Sequence, residues 1–252
     1  MTHNILLTGA SGMLGKEVAL ALSKNGIEFS GSGRHEARPG FLGNWVRADV
    51  LTGSGLDAAV HARSCIIHCA STPAKPGNDI IALRNVIAAA RAQNTHILYI
   101  GIAGIEEAAK RYAYYKAKLE CERILAESGL PYTILRASPF HSFVDTLLRR
   151  LTFGPFLLVP QMTLQPVDIQ FVAETLTMLA FERPIGRLRD VFGPEALDTQ
   201  RLTDLWFAGK QGRKSRIPMP AIGSFVGLTD LKVVDGMSGG ASWSEWVAQH
   251  RQ

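Results

Sequence analysis

Nowhere do the 252 residues contain a run of about eighteen apolar side chains, which excludes a membrane-spanning helix. Cysteine is scarce: Cys65, Cys69 and Cys121 form an odd count without C-x-x-C spacing, and no secretory signal precedes the first apolar run. A reducing cytoplasm is therefore the expected compartment. Charged residues are few, 19% against 46% hydrophobic, and long polar or Pro/Ser tracts are missing, so a disordered chain is excluded too. The length suits one large domain, or a larger body with a smaller lobe.

The charge that is present sums to +5, a sign compatible with an anionic small ligand, a nucleic acid or an acidic surface. Its densest stretch, Lys210, Arg213, Lys214 and Arg216, has no interleaved aromatics and no recognised nucleic-acid motif, so it reads as a solvated loop. Neither nucleic acid nor membrane is an expected partner, and the oligomeric state stays open. His61, Cys65, His68 and Cys69 cluster in sequence, yet strand alternation puts Cys65 and Cys69 on one face and His68 on the other, so core packing is expected rather than a metal.

Apolar periodicity then organises the chain. The short run from Asn4 to Thr8 stops at Gly9, and Met13, Val18, Leu20, Ala21 and Leu22 recur at helical spacing: strand, tight turn, helix. Further strands are expected at Ile27 to Ser32, Trp45 to Ala48, Ser64 to Cys69, His96 to Ile100 and Tyr132 to Arg136. Amphipathic helices fall between them, over Asp79 to Gln93 and about Tyr112 to Ser128, the latter closed by Gly129 and Pro131. Near-continuous apolar strands alternating with helices predict an α/β fold, a Rossmann-type doubly wound parallel sheet covered on both faces. After Pro139 the regularity weakens, with helices around Phe140 to Leu151 and Ile169 to Phe181. We therefore expect a core over residues 1–138 and a smaller C-terminal substrate lobe over 139–252, integrated with it as one structural domain.

The segment TGASGMLG, Thr8 to Gly15, sets Gly9, Gly12 and Gly15 between the first strand and first helix. Gly9 can take the tight turn, Gly12 admits a pyrophosphate to the backbone, and Gly15 lets helix and strand pack closely. Free amides at the helix N-terminus then face the phosphates, with Ser11 and Met13 beside them. Roughly twenty residues on, where a site for NAD carries an Asp or Glu on the ribose, this chain reads Ser32, Gly33, Arg34. A guanidinium there can pair with a 2′-phosphate, so NADP(H) is expected ahead of NAD(H). An exposed arginine capping a loop is the alternative, and Glu36 stands nearby.

With these features the chain resembles the atypical short-chain dehydrogenase/reductase family, and within it the NmrA-like NAD(P)-binding proteins. The matching segments are TGASGMLG, Asp49-Val50, IIHCAS at 66–71, RNVIAAAR at 84–91, YYKAKLECE at 114–122 and LPYTILRASPF at 130–140. PVDIQFVAE at 166–174 and FGPEALDTQRLTDLW at 192–206 extend the likeness over most of the chain. The resemblance implies that Asp49 and Val50 sit near the adenine, that Ala70 and Ser71 line the nicotinamide ribose side, and that Asn85 lies in the helix behind the active site. The alternatives are a helix N-cap for Asp49 and a polar point on a surface helix for Asn85.

The family's reductases use Tyr-x-x-x-Lys on one helix, because residues four apart share a face and an ammonium can lower the pKa of a neighbouring phenol. Tyr114 and Lys118 fit, as do Tyr112 and Lys116; the family-like continuation to Glu122 favours Tyr114 and Lys118. One departure stands out: after the fifth strand, where relatives place a serine as hydroxyl donor, this chain has Gly101. The expected function is an NADP(H)-dependent oxidoreductase acting on a small carbonyl or enone, with Tyr114 as proton donor, Lys118 holding the ribose, and Phe140, His141 and Phe143 closing the substrate pocket. The rival is a noncatalytic NADP(H)-binding regulator or redox sensor, which the missing serine favours.

Overall fold

The computed structural model describes residues 4–208, 215–221, 227–228 and 235–250. The chain divides into two compact units whose segments interleave in sequence. One comprises Met1–Gly101, Ala113–Arg136 and Ala173–Leu188, the other Ile102–Tyr112, Ala137–Val172 and Arg189–Gln252.

The first unit alternates strand and helix except between β2 and β3: β1 (Ile5–Thr8), α1 (Met13–Lys24), β2 (Phe29–Gly33), β3 (Asn44–Arg47), α2 (Leu56–Val60), β4 (Cys65–His68), α3 (Gly77–Ala90) and β5 (His96–Ile102). After α4 (Ile105–Ala109), α5 (Ala113–Ala126) and β6 (Tyr132–Ala137) complete the series. The strand order β3-β2-β1-β4-β5-β6 reverses direction between β1 and β4. β1 runs parallel to both neighbours, Ile5 registering with Phe29 and with Cys65. This is the expected doubly wound sheet, and its switch point lies at the C-terminal ends of β1 and β4.

Every residue of β1 and of β4 is buried, as an all-parallel sheet with two covered faces requires. Leu6, Ile66 and Ile97 share one core with Leu83, Val86 and Ile87 of α3 and Cys121 and Leu125 of α5. Each of those three strand side chains is fully buried, and such burial contributes about 1.5–3 kcal/mol per residue. The strand boundaries agree with the sequence reading within about two residues. β5 runs two residues further, to Ile102, and the short helices α2 and α4 are additional, since five residues hold too little periodicity to read.

The second unit contains α6 (His141–Arg150), β7 (Thr152–Phe153), β8 (Phe156–Pro160), β9 (Thr163–Leu164) and the first residues of α7 (Ile169–Leu179). The remainder of α7 and β10 (Gly186–Arg187), which pairs with β6, belong to the first unit. Beyond them come β11 (Asp190–Phe192), β12 (Leu197–Asp198), α8 (Thr199–Phe207), β13 (Ser215–Met219), β14 (Gly236–Ser238) and α9 (Trp243–Gln249). Val144, Leu148, Leu157, Leu202, Trp206 and Trp243 form its separate core. Asp198 caps α8 by accepting from the Arg201 amide, and a Ser242–Glu245 capping box starts α9. Of the basic stretch, Arg216 pairs with Asp204, while Lys210, Arg213 and Lys214 lie outside the described residues. No described helix is long and apolar enough to cross a membrane.

Two histidines are sealed into the sheet of the first unit. His68 shares a 2.7 Å hydrogen bond with Thr8 Oγ1 and stacks on Tyr99, and His96 bonds Thr133 Oγ1 at 3.0 Å. Burial, aided by the Lys118 charge, pulls His68 down to about 3, and burial pulls His96 down to about 4. Both rings are neutral when folded and titrate near 6.5 when unfolded, so their stabilisation is present above pH 6.5 and is lost as pH falls below it. Urea unfolding at pH 7.5 and 4.5 is expected to show a loss on the order of 2–3 kcal/mol from His68. The loss should shrink in His68→Asn; an unchanged pH dependence in that variant would assign the acid limb elsewhere.

Candidate functional site

The C-terminal ends of β1, β2, β3 and β4 open onto a cleft of about 820 Å³. Its floor is the turn after β1. Gly9 adopts φ +70°, and a Cβ there would lie 2.5 Å from the Ala70 amide nitrogen, so the turn packs directly on the loop leaving β4. A Cβ on Gly15 would come within 2.1 Å of the Gly9 carbonyl oxygen, which makes Gly15 the contact that draws α1 onto the turn. Gly12 is different: a Cβ would meet only Gly9 O, at 3.1 Å. No side chain caps α1 at Gly12, and its first turn carries no carboxylate. The positive end of the helix is thus left to an anion.

Gly9, Ser11, Gly12, Arg34, Asp49, Val50, Ala70 and Ser71 all line this cleft, joined by Lys16, Phe41, Trp45, Lys75 and Asp79. Met13 and Gly15 are outside the lining: Met13 is half exposed and Gly15 is buried under the turn. Arg34 sits at the end of β2, where its carbonyl accepts from Arg47 Nε at 3.2 Å and the next carbonyl, of His35, accepts from Trp45 Nε1 at 2.9 Å. The backbone at the mouth is thus held where Arg34 lines the cleft. Asp49 has local work, its Oδ1 accepting from the Leu51 amide at 2.9 Å. Asn85 on α3 donates to the carbonyls of Val50 and Leu51, at 2.9 and 3.0 Å, and so fixes the wall that Val50 forms.

A polar cluster lies beside Ser71. Asp79, in the first turn of α3 and 3% exposed, accepts from Ser71 Oγ and from the Thr72 amide, both at 2.6 Å. One carboxylate thereby clamps the loop after β4. Spacing within the sequence gave no sign of Asp79, because its role depends on a loop that two prolines break. Tyr114 is half-buried on α5 and is not among the residues that line the cleft; burial raises the phenol above its ordinary value, and the Ser71 hydroxyl opposes that shift.

The two overlapping Tyr-x-x-x-Lys registers separate cleanly. Lys116 is exposed, whereas Lys118 is 3% exposed, its Nζ donating to the Ile100 carbonyl at 2.8 Å and lying 4.2 Å from the centre of the Tyr99 ring. Burial lowers the Lys118 pKa and the Asp79 charge opposes the shift. Gly101 follows at once on β5. A Cβ there would lie 2.2 Å from Glu122 Oε1 and 2.9 Å from Arg136 Cγ. Arg136 Nε donates to both Glu122 oxygens, at 2.9 and 3.0 Å, and Arg136 Nη2 donates to Oε2 at 2.8 Å. The space a serine side chain would use is filled by this buried ion pair.

In the second unit, Phe140 precedes α6 and bridges to Val167, and Phe143 is 40% exposed. His141 is fully buried, its ring 5.6 Å from that of Trp243 and 5.8 Å from that of Trp246, and its Nε2 donates to the Ala241 carbonyl at 2.9 Å. Among the described residues no group of three or more His, Cys, Asp or Glu side chains could hold a metal ion.

A family model described as NAD(P)H-binding matches residues 9–151, more than half of the chain and the whole of this cleft. The chain belongs to that NAD(P)H-binding family. Among curated proteins it is similar to the (4-alkanoyl-5-oxo-2,5-dihydrofuran-3-yl)methyl phosphate reductase of Streptomyces griseus, 28% identical over 79% of this chain and 71% of the relative. Among solved structures, a nucleoside-diphosphate-sugar epimerase from Staphylococcus aureus superposes with a TM-score of 0.80 at 16% identity, covering 97% of this chain and 99% of that one. Citrobacter sp. triphenylmethane reductase complexed with NADP(H) gives 0.74 at 21% identity, covering 86% and 79%. The solved structures carry the fold and bear out the expected Rossmann-type sheet, and the family bears out an NAD(P)H-binding protein.

In this NAD(P)H-binding protein the cradle suits a dinucleotide on its own geometry: bare backbone at Gly12, an uncapped helix terminus and an arginine at the mouth. The glycines separate fold from binding. Gly12→Val should keep a cooperative thermal transition and lose NADPH binding by calorimetry, whereas Gly15→Val should lower stability by about 3 kcal/mol or more, because its Cβ meets backbone. Normal NADPH binding by Gly12→Val would reduce the turn to a structural feature.

Proposed function

We propose that this protein is an NADP(H)-dependent reductase acting on a small carbonyl compound or an alkene conjugated to one, in the reducing cytoplasm that its three free thiols suit. The observation that carries the reading is the glycine cradle at the switch point, with Ser71 in the lining of the same cleft. The pyrophosphate would lie on the turn from Gly9 to Gly12, the adenosine between Arg34 and the Asp49-Val50 wall, and the nicotinamide ribose along Ala70 and Ser71. When bound, the reduced cofactor supplies a hydride. Tyr114 supplies the proton, from a phenol that burial keeps protonated at neutral pH. Lys118 donates to the Ile100 carbonyl on β5 and is proposed to hold the ribose hydroxyls.

The reductase name of the Streptomyces relative and the NADP(H) complex of the Citrobacter reductase support both the reaction class and the cofactor. The Streptomyces name also points to the acceptor class, a small ring whose double bond is conjugated to a carbonyl. Phe140, His141 and Phe143 are proposed for the substrate side, His141 as the buried anchor of that segment and the two phenylalanines as its surface. A noncatalytic NADP(H) sensor is the second reading, favoured by the ion pair that occupies the serine space at Gly101.

NADPH should bind more tightly than NADH at one ionic strength, by about tenfold or more, and Arg34→Ala should abolish the difference. Equal affinities in the parent protein would remove the 2′-phosphate assignment.

Against a panel of aldehydes, ketones, quinones and enones, with NADPH oxidation as readout, Tyr114→Phe should cut turnover about a hundredfold or more and leave NADPH affinity nearly unchanged. Lys118→Ala should weaken both, and Tyr112→Phe and Lys116→Ala neither. Turnover that survives Tyr114→Phe would refute the proposed acid, and a panel without any reaction would favour the sensor.

A further inference from the structure

The parallel ladder between β2 and β3 ends where Gly33 registers with Arg47, closing on a bond from the Ala48 amide to the Gly33 carbonyl at 3.0 Å. The next two carbonyls are taken by side chains instead. Arg47 Nε donates to Arg34 O at 3.2 Å and Trp45 Nε1 to His35 O at 2.9 Å, both donors coming from β3. The described connection from β2 to β3 carries no helix, and aromatic rings cover the strand in its place. Trp45 lies against Gly33, where a Cβ would sit 2.9 Å from its Cζ2, and a Cβ on Gly31 would collide with Phe41 Cζ. The two rings meet edge to face at 4.9 Å, and Phe29 adds a third ring 5.8 Å from Phe41. Bare backbone at Gly31 and Gly33 is thus what lets the rings seat on β2. Arg34 leaves the strand directly from this clamp and lines the cleft, whereas Arg47 is outside the lining.

We propose that Trp45 and Arg47 are positioning residues for Arg34: by holding the Arg34 and His35 carbonyls they fix where the Arg34 side chain leaves the backbone, and so set the preference for a dinucleotide that carries a 2′-phosphate over one that lacks it. The inference rests on the NADP(H) reading above and deepens it. An arginine that pairs with a phosphate gives up rotamer freedom, and a connection that had to order at the same moment would give up more. Here the backbone is pinned beforehand from β3, so only the side chain is left to order, and the charge-assisted pair keeps more of its strength. Both anchors act on the 2′-phosphate through Arg34. The parts common to NADPH and NADH do not depend on them.

Calorimetric titration of the full chain with NADPH and with NADH, at one ionic strength, reads the clamp without turnover. Trp45→Phe keeps a ring against Gly33 and removes the N–H donor; Arg47→Lys keeps the charge and removes Nε. Each should weaken NADPH binding roughly three- to tenfold and NADH binding less than twofold. Gly33→Ala, whose methyl would push the indole off the strand, should match Trp45→Phe. Because Trp45 itself lines the cleft, a double-mutant cycle separates action through Arg34 from direct contact. In an Arg34→Ala background, Trp45→Phe should change NADPH affinity less than twofold, since the residue it positions is gone.

Equal losses of NADPH and NADH in Trp45→Phe, or the same NADPH loss with and without Arg34, would make Trp45 a general wall of the cleft and overturn the inference. Parent affinity for NADPH in both Trp45→Phe and Arg47→Lys would overturn it too, and Arg47→Lys, at an exposed position outside the lining, gives that answer even where Gly33→Ala does not fold. Failure of the underlying reading looks different: the parent protein binds NADPH and NADH equally before any anchor is changed, and there is no preference for the clamp to set.

Discussion

The contact on which the rest depends is the approach of α1 to the turn after β1, where Gly15 lies so close to the Gly9 carbonyl that a methyl group would sit at 2.1 Å. That approach aims the helix terminus along the cleft floor. Gly9 in turn presses against Ala70, so the ends of β1 and β4 are set relative to each other by backbone alone. The loop that leaves β4 is placed from there: Ser71 is the residue after Ala70, and Asp79 clamps Ser71 and the Thr72 amide. A cleft built on backbone contacts has few side-chain degrees of freedom with which to relax, and that is what preorganised binding requires.

Two kinds of polar burial lie against the end of β5, with different energetic character. The Glu122–Arg136 pair is fully engaged by three hydrogen bonds, and removing one partner of such a pair costs about 3–5 kcal/mol. It belongs to structure. The Lys118 ammonium has one carbonyl and an aromatic face, with its pKa lowered by burial, and so is less completely satisfied. Incomplete satisfaction inside an otherwise paired region marks a group with capacity for a further partner. The two sets lie next to each other along β5, where Ile100 takes the lysine and Gly101 admits the ion pair.

Local patterns were legible in the sequence, and long-range partners were not. Buried β1 and β4 showed as unbroken apolar runs, and the glycine turn declared itself because its chemistry fits within eight residues. Lys118 could be preferred to Lys116 only through a family-like continuation; the burial that separates them depends on β5, far off in the chain. Asp79 and Asn85 went unread as clamps, since their partners are backbone groups of loops whose paths no periodicity encodes. His141 looked like a pocket residue beside two phenylalanines, and its ring is buried against tryptophans a hundred residues on.

Gly101 has a consequence for how sequences of this kind can change. Its missing side chain is matched by two large charged ones, so positions 101, 122 and 136 form a single volume shared among three residues. A hydroxyl could be placed at this strand end only by shrinking or moving Glu122, which would strand Arg136 in the interior. Substitutions neutral one at a time elsewhere become interdependent here, and a one-step change of Gly101 to serine is blocked. Any route to a hydroxyl there must pass through a paired replacement of the ions first, so the order of substitutions is fixed by the volume the three residues share.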